Sequence, residues 1–128
     1  MSAMHLLLIG AGGHAKACID VIEAQGRYQL QGLIGLPQEV GARLLGYPVV
    51  CADIDLPAMR TANPHALVGI GQIADSAPRL NAFTRLRSIG FDMATVISPH
   101  AYVSRHAQIG PGTIVMHGAI VNAGARIG

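Results

Sequence analysis

Residues 97–128 read ISPHAYVSRHAQIGPGTIVMHGAIVNAGARIG and repeat every six residues. An aliphatic residue stands at each sixth position without a miss, at Ile97, Val103, Ile109, Val115, Val121 and Ile127. A small residue follows each of them, with Met116 as the exception. Neither an α-helix nor a plain strand has this period, whereas a solenoid of short strands and tight turns does. We therefore predict a hexapeptide-repeat solenoid whose aliphatic side chains point inward. The repeat runs to the last two residues, so we expect the natural protein to continue.

Upstream of the repeat, short apolar runs alternate with helical patterns. The predicted elements are strand His5–Ile9, helix Ala15–Gln25 ended by Gly26, strand Leu30–Ile34, a strand within Leu44–Val50 broken by Gly46 and Pro48, short helix Asp53–Arg60 capped by Asp53, strand His65–Ile70, and helix Ser76–Ile89 with Leu80, Phe83, Leu86 and Ile89 on one face and Gly90 at its end. Strands that alternate with helices predict an α/β fold with a parallel sheet. We place this domain at residues 1–92 and the solenoid at 93–128.

Composition excludes several classes of protein. The chain has 128 residues, of which 51% are apolar and 12% charged, so it is not a disordered chain. A net charge of +2 and the absence of Trp argue against nucleic-acid binding. The apolar run 6–9 is too short for a signal peptide or a membrane span. Cys18 and Cys51 have no zinc-ligand spacing, and two isolated thiols favour a reduced, cytoplasmic protein.

The main candidate for chemistry is the turn Gly10-Ala-Gly-Gly-His-Ala-Lys16, between a predicted strand and helix. Glycines let a phosphate approach the backbone, and a helix N-terminus offers free N–H groups. His14 is placed to donate a hydrogen bond to an anion or sugar hydroxyl, and Lys16 either adds charge or is solvated. The alternative is a tight turn that binds nothing. A nicotinamide dinucleotide site also needs an acid after the second strand, and none occurs before Glu39.

Other polar residues are weaker candidates. The stretch Gly69-Ile-Gly-Gln72 follows a predicted strand and either lines the same crevice or is an ordinary turn. His100, His106 and His117 lack metal-site spacing and an obvious acidic partner, since Asp92 is the last carboxylate, so no catalytic or metal-binding residue is nominated. The three arginines of the last helix are interpreted as its wet face: Arg79, Arg85 and Arg87.

The combination of four segments resembles the sugar O-/N-acyltransferases of the sialic-acid O-acetyltransferase and bacillosamine N-acetyltransferase type. The segments are residues 10–16, Leu44-Leu-Gly-Tyr-Pro-Val49, Val68-Gly-Ile-Gly71, and Ile97-Ser-Pro-His-Ala-Tyr-Val-Ser104 leading into the repeats. The resemblance covers essentially the whole chain. The hexapeptide run and the glycine–histidine turn are its most specific parts.

The resemblance implies a Rossmann-like domain that binds a nucleotide-linked, typically UDP-linked, sugar, followed by a left-handed parallel β-helix. It implies a homotrimer, acetyl-CoA as co-substrate bound between β-helices, and no metal. A β-helix histidine would act as general base on the sugar amine or hydroxyl, with direct transfer of the acetyl group. By the same resemblance, the residues that contact the nucleotide-sugar are Gly10, Ala11, Gly12, Gly13 and His14, with Gly69, Ile70 and Gly71 nearby.

Two departures from the family pattern affect these expectations. Family members often carry acids after the second strand, where this chain has Gly35 and Leu36. The family's catalytic histidine follows the repeat that matches residues 125–128, so it would fall beyond this sequence. We therefore expect the chain to supply the sugar-nucleotide domain of an acetyltransferase and to be catalytically silent. The alternatives are a non-catalytic nucleotide-sugar-binding or assembly module and a small NAD(P)-binding domain.

Overall fold

A computed structural model of the chain describes residues 4–69 and 77–127. The first part contains β1 (Met4–Ile9), α1 (Gly13–Gln25), β2 (Tyr28–Gly35), β3 (Arg43–Leu44), β4 (Tyr47–Ala52), α2 (Leu56–Met59), β5 (His65–Val68), α3 (Ala77–Ile89) and β6 (Asp92–Met93). Short 3-10 turns occupy Pro37–Glu39 and Asp53–Asp55. Six two-residue strands follow: β7 (Val96–Ile97), β8 (Tyr102–Val103), β9 (Gln108–Ile109), β10 (Ile114–Val115), β11 (Ile120–Val121) and β12 (Arg126–Ile127).

The first nine elements form a Rossmann-like α/β domain around one six-stranded sheet. Its strand order is β3-β4-β2-β1-β5-β6, and every pair is parallel except the β3–β4 hairpin. The predicted parallel sheet is confirmed, but the single predicted strand at 44–50 is two strands joined by a turn. Leu45 and Gly46 both have positive φ in that turn, at 51° and 88°. Strand β6 consists of Asp92 and Met93, so the domain boundary suggested by the sequence, between residues 92 and 93, falls within this strand.

Both faces of the sheet are covered, which explains the continuous apolar run of β1. Leu6 and Leu8 point to the face covered by α1, and Leu7 and Ile9 point to the face covered by α2 and α3. The three leucines are at most 1% exposed. Full burial of a leucine contributes roughly 1.5–3 kcal/mol, so these three side chains anchor β1 in the core.

The remaining strands form the coils of a parallel β-helix. Strand β7 pairs with β10, β8 with β11, and β9 with β12, and each register joins a residue to the one eighteen positions later, as in Val96↔Ile114. The strands are spaced six residues apart, and three of them complete one coil. Val115 and Val121 are buried as expected, but Ile127 is 39% exposed, and among the described strands β9 is the one that pairs with β12.

The corners of the coils use small residues in two ways. Ser98 and Ser104 are buried, and each hydroxyl accepts a hydrogen bond from the backbone N–H two residues later. Three glycines turn the chain with φ between 77° and 85°, a backbone region in which a side chain is strained: Gly112, Gly118 and Gly124.

The first coil and the start of the second pack against the α/β domain. Val96 belongs to the core cluster of α1, and Ile114 and Met116 pack against the same cluster. On the other side, a Cβ added to Gly112 would come within 2.5 Å of the Phe83 ring on α3. The α/β domain and the coil thus share a core.

Several local expectations are corrected and others confirmed. Asp53 does not cap the following helix, because no side-chain cap bond forms there. Leu80 is 60% exposed, so the apolar face of α3 begins at Phe83. Gly26 ends α1 in the left-handed conformation, as predicted. Among the described residues, no helix has the length and hydropathy needed to cross a membrane.

Candidate functional site

A cavity of about 630 Å³ opens beyond the carboxyl ends of β1, β2 and β5. Its lining residues are Ile9, Gly10, Ala11, Gly12, Gly13, His14, Ile34, Gly35, Leu36, Glu39, Asp53, Gly69, Asn81, Ala82 and Arg85. The chain continues from β1 to β2 and β4 on one side of the sheet and then to β5 on the other. The cavity therefore lies at the topological switch point, where open parallel sheets bind ligands, and its volume is in the range of small-molecule sites.

The glycine turn forms the floor of this cavity. Gly10 has a φ of 120°, and its N–H donates to the Ile34 carbonyl at 2.8 Å. Gly12 is the N-cap of α1 and offers no side-chain cap, and the first turn of the helix carries no acidic residue. The first N–H groups of α1 therefore face the cavity with the positive end of the helix dipole.

The protein itself gives no reason for glycine at positions 12 and 13. A Cβ added to either residue would meet no atom within 4 Å, and neither residue has a positive φ. Gly13 is the first residue of α1, where a side chain is readily accommodated. The open space above both residues is what the close approach of a ligand to the backbone requires. His14 is exposed and lines the cavity, whereas Lys16 is exposed and does not line it.

The second predicted loop contributes one described residue. Gly69 lines the cavity, and its N–H donates to the Ile9 carbonyl at 2.7 Å. A Cβ at this position would lie 2.7 Å from Leu8 Cδ1, so this glycine serves strand packing. Ile70 and Gly71, which were predicted to lie near the ligand, fall outside the described residues, as does Gln72.

An ion pair lies across one rim of the cavity. Arg85 Nε and Asp53 Oδ2 are 2.9 Å apart, and Arg85 also donates to the Asp53 carbonyl at 3.1 Å. Arg85 is exposed, as its interpretation as part of the wet helix face expects, and it also lines the cavity. Sequence reasoning missed this residue since nothing in the spacing of α3 separates it from the other arginines.

Glu39 was noted in the sequence only as the first acid after β2. The 3-10 turn Pro37–Glu39 carries it back to the end of β2, where its Oε1 accepts a hydrogen bond from the Leu36 N–H at 2.7 Å. It is half-buried and lines the cavity. An acidic side chain therefore lies at the end of β2 in the folded protein, although positions 35 and 36 carry none.

A serine, a histidine and a carboxylate also line up where α1 meets the β-helix. His117 Nδ1 contacts the Ser98 hydroxyl, and His117 Nε2 lies 3.1 Å from Asp20 Oδ2. The expectation that the β-helix histidines lack an acidic partner is wrong for His117, because folding brings Asp20 to it across 97 residues of sequence. Ser98 is only 2% exposed, which denies a substrate access to its hydroxyl. This trio joins α1 to both coils of the β-helix.

Two further groups have shifted pKa values away from the cavity. The Tyr47 hydroxyl donates to Glu23 Oε2 at 2.5 Å, and this hydrogen bond raises the pKa of Tyr47 to about 12. Burial, reinforced by Asp55 and Asp53, raises the pKa of the Cys51 thiol. A buried thiol with a raised pKa is a poor nucleophile. Within residues 4–69 and 77–127, no group of three or more potential ligands could hold a metal ion.

These features define a Rossmann-like domain with a glycine turn at a helix N-terminus, joined to a hexapeptide β-helix. The chain belongs to the PglD N-terminal domain family, which matches residues 5–86. The resemblance to sugar O-/N-acyltransferases is thereby confirmed. A comparison with curated protein sequences finds no match.

The chain is also similar to solved structures of sugar acetyltransferases. One is an H-to-N mutant of perosamine N-acetyltransferase from Caulobacter crescentus in complex with CoA and GDP-perosamine, at 32% identity and a TM-score of 0.85, covering 95% of this chain and 56% of that chain. Another is the acetyltransferase domain of PglB from Neisseria gonorrhoeae in complex with acetyl coenzyme A, at 28% identity and a TM-score of 0.83, covering 98% and 59%. The chain thus spans little more than half the length of these neighbours. A Rex-family repressor at 14% identity and a TM-score of 0.53 shares the fold alone.

Proposed function

We propose that this chain binds a nucleoside-diphosphate-linked sugar in the cavity beyond β1, with the diphosphate at the N-terminus of α1. The observation that carries the proposal is the open space above Gly12 and Gly13, next to uncapped N–H groups of the helix. Backbone N–H groups and the helix dipole stabilise a negative charge at this position. Gly10, Ala11 and His14 border the same space, and Gly69 lines the cavity as well.

The chain would serve an acetyl-CoA-dependent transfer of an acetyl group to an amino or hydroxyl group of that sugar. Family membership and the CoA and GDP-perosamine in the perosamine N-acetyltransferase structure support this proposal. In such a reaction a general base removes a proton from the acceptor as it attacks the thioester carbonyl. The α/β domain would contribute binding and orientation of the sugar. We nominate no residue of this chain as the base, and we expect the chain alone to transfer no acetyl group.

Three further features belong to the same proposal. The nucleotide is left open between UDP, which the resemblance favours, and GDP, which the perosamine N-acetyltransferase structure contains. The full protein is expected to form a homotrimer through a left-handed β-helix. The reducing, cytoplasmic location expected from the sequence belongs to the same proposal.

Calorimetric titration with UDP, GDP, a UDP-amino-sugar, a GDP-amino-sugar, NADH and acetyl-CoA tests the proposal. We expect saturable binding of at least one nucleoside diphosphate and its sugar conjugate. Binding of NADH alone would favour the NAD(P)-binding alternative. Binding of a nucleotide-sugar by a natural protein whose intact mass equals that of this chain would favour the non-catalytic module.

A further inference from the structure

An acidic side chain lies at the carboxyl end of β2, although no acidic residue directly follows this strand in the sequence. In nucleotide-binding sheets of this topology, an acidic side chain at this place accepts a hydrogen bond from a ribose hydroxyl. Here the strand ends in Gly35 and Leu36, and the chain then turns back through Pro37–Glu39. The Glu39 N–H donates to the Leu36 carbonyl at 2.9 Å, which closes the turn.

The turn fixes the Glu39 carboxylate above the strand end. Oε1 accepts the Leu36 N–H at 2.7 Å, so one oxygen is held by the backbone. A Cβ added to Gly35 would lie 2.8 Å from that oxygen and 3.0 Å from Val49 Cγ1. A side chain at position 35 and this placement of the carboxylate therefore exclude one another.

The second oxygen of Glu39 is available to a ligand. In the described part of the chain, the Leu36 N–H is the one donor recorded for this side chain, which is half-buried in the cavity wall. An ionised carboxylate only accepts hydrogen bonds, and it repels phosphate. The diphosphate is therefore expected at the helix end, and the group at Glu39 must be a hydrogen-bond donor. A ribose diol attached to that diphosphate supplies two such donors.

We propose that Glu39 binds the ribose hydroxyls of the nucleotide and is the residue by which this chain selects a ribonucleotide. The inference rests on the proposed nucleotide-sugar site and adds the recognition of its ribose. It assigns to Glu39 the place of the acid that is absent from positions 35 and 36. Recognition through the ribose is independent of the base, and a phosphate on the 2′-oxygen would be rejected by charge repulsion.

The test is a cycle of two ligands and two proteins. GDP and 2′,3′-dideoxy-GDP, or the UDP pair where UDP binds more tightly, are titrated calorimetrically into the unmodified chain and the Glu39→Gln variant. A hydrogen bond to a charged group is worth about tenfold or more in affinity. The unmodified chain should therefore lose at least about tenfold on removal of the diol, and the variant should lose less than about threefold.

Asp92→Asn is the matched control. It removes the same charge from an exposed residue that pairs with His65 at the amino end of β5, away from the cavity. This variant should bind like the unmodified chain, and melting without ligand checks that each variant is folded. Two results would overturn the inference alone. One is that Glu39→Gln weakens binding of the ribose ligand and of the dideoxy ligand by the same factor, and the other is that the unmodified chain binds both ligands with the same affinity. Absence of any nucleoside diphosphate binding to the unmodified chain would overturn the proposed function with it.

Discussion

A Cβ atom on Gly35 would lie 2.8 Å from Oε1 of Glu39, so the glycine and the carboxylate depend on the same small space. Gly35 does not have a positive φ, and the backbone alone would accept another residue there. Glycine is needed at position 35 because the Glu39 carboxylate occupies the space that a side chain would fill. The residue that departs from the family pattern at the end of β2 is thus the one that admits Glu39.

Gly35→Ala should therefore weaken nucleotide binding by displacing Glu39. Gly32→Ala is the matched control on the same strand, since its Cβ would press on Val50 Cγ1 at 2.6 Å and does not reach the cavity. Overpacking costs about 1–3 kcal/mol, so both variants should melt at lower temperature. Calorimetry should show weaker GDP or UDP binding in Gly35→Ala only. Equal affinities in the two variants would argue against a role for Glu39.

Gly13→Ala should separate binding from stability. Its Cβ meets nothing in the protein, and alanine is favoured over glycine in a helix by up to about 1 kcal/mol, so the variant should be as stable as the parent or more so. The same methyl group would occupy the space expected for the diphosphate, and affinity should fall at least about tenfold. Thermal melting and titration measure the two effects. Unchanged affinity would show that the diphosphate does not bind next to Gly13.

Gly69→Ala is predicted to behave in the opposite way. Its Cβ would lie 2.7 Å from Leu8 Cδ1 and 3.2 Å from the Ile9 carbonyl oxygen, where the end of β5 packs against β1. We expect a loss of about 1–3 kcal/mol in the free energy of unfolding, measured by urea denaturation. A variant as stable as the parent would show that packing does not require glycine at position 69. Contact with a ligand would then be the better explanation for this glycine.

Gly112→Ala tests the contact between α3 and the first coil. Gly112 and Gly118 have nearly the same φ, 80° and 77°, so alanine is strained to a similar degree at both. Only at Gly112 would the Cβ strike Phe83, whereas at Gly118 it meets nothing within 4 Å. Gly112→Ala should therefore lose more stability than Gly118→Ala, by about 1–3 kcal/mol in urea denaturation. Equal losses would mean that α3 and the coil do not pack closely.

Tyr47→Phe should change the alkaline stability of the protein. The bond to Glu23 raises the pKa of Tyr47 to about 12, so the folded state favours the protonated hydroxyl. This contribution is complete below the ordinary pKa of 10.0 and is lost as pH rises to about 12. The difference in free energy of unfolding between parent and variant should therefore shrink across that window. A difference that stays constant from pH 9 to 12 would contradict the role of this bond.

The architecture can be predicted from the sequence because the patterns that indicate it lie within short, continuous stretches of the chain. A strict six-residue repeat and apolar runs ended by glycine determine coils and parallel strands with little help from distant residues. The hairpin at 43–52 was missed because Leu45 adopts a positive φ, which its residue type disfavours. Leu80 was misplaced because the helical period locates a face but does not say how far the neighbouring structure covers it.

The site was only half predictable for a similar reason. The turn 10–14 is contiguous, and its chemistry can be inferred from spacing. Glu39, Arg85 and Asp53 come from separate elements and meet at the cavity only after folding. The pairing of His117 with Asp20 joins two domains, and no pattern in either segment indicates it.

The most direct test of nucleotide binding at the helix N-terminus is a ¹⁵N–¹H spectrum of the chain titrated with GDP or UDP. The account predicts saturable shifts of the Gly12 and Gly13 amide signals, because these N–H groups would bond the diphosphate, with little change in β11 and β12. Shifts confined to the β-helix strands, or none at millimolar nucleotide, would contradict it.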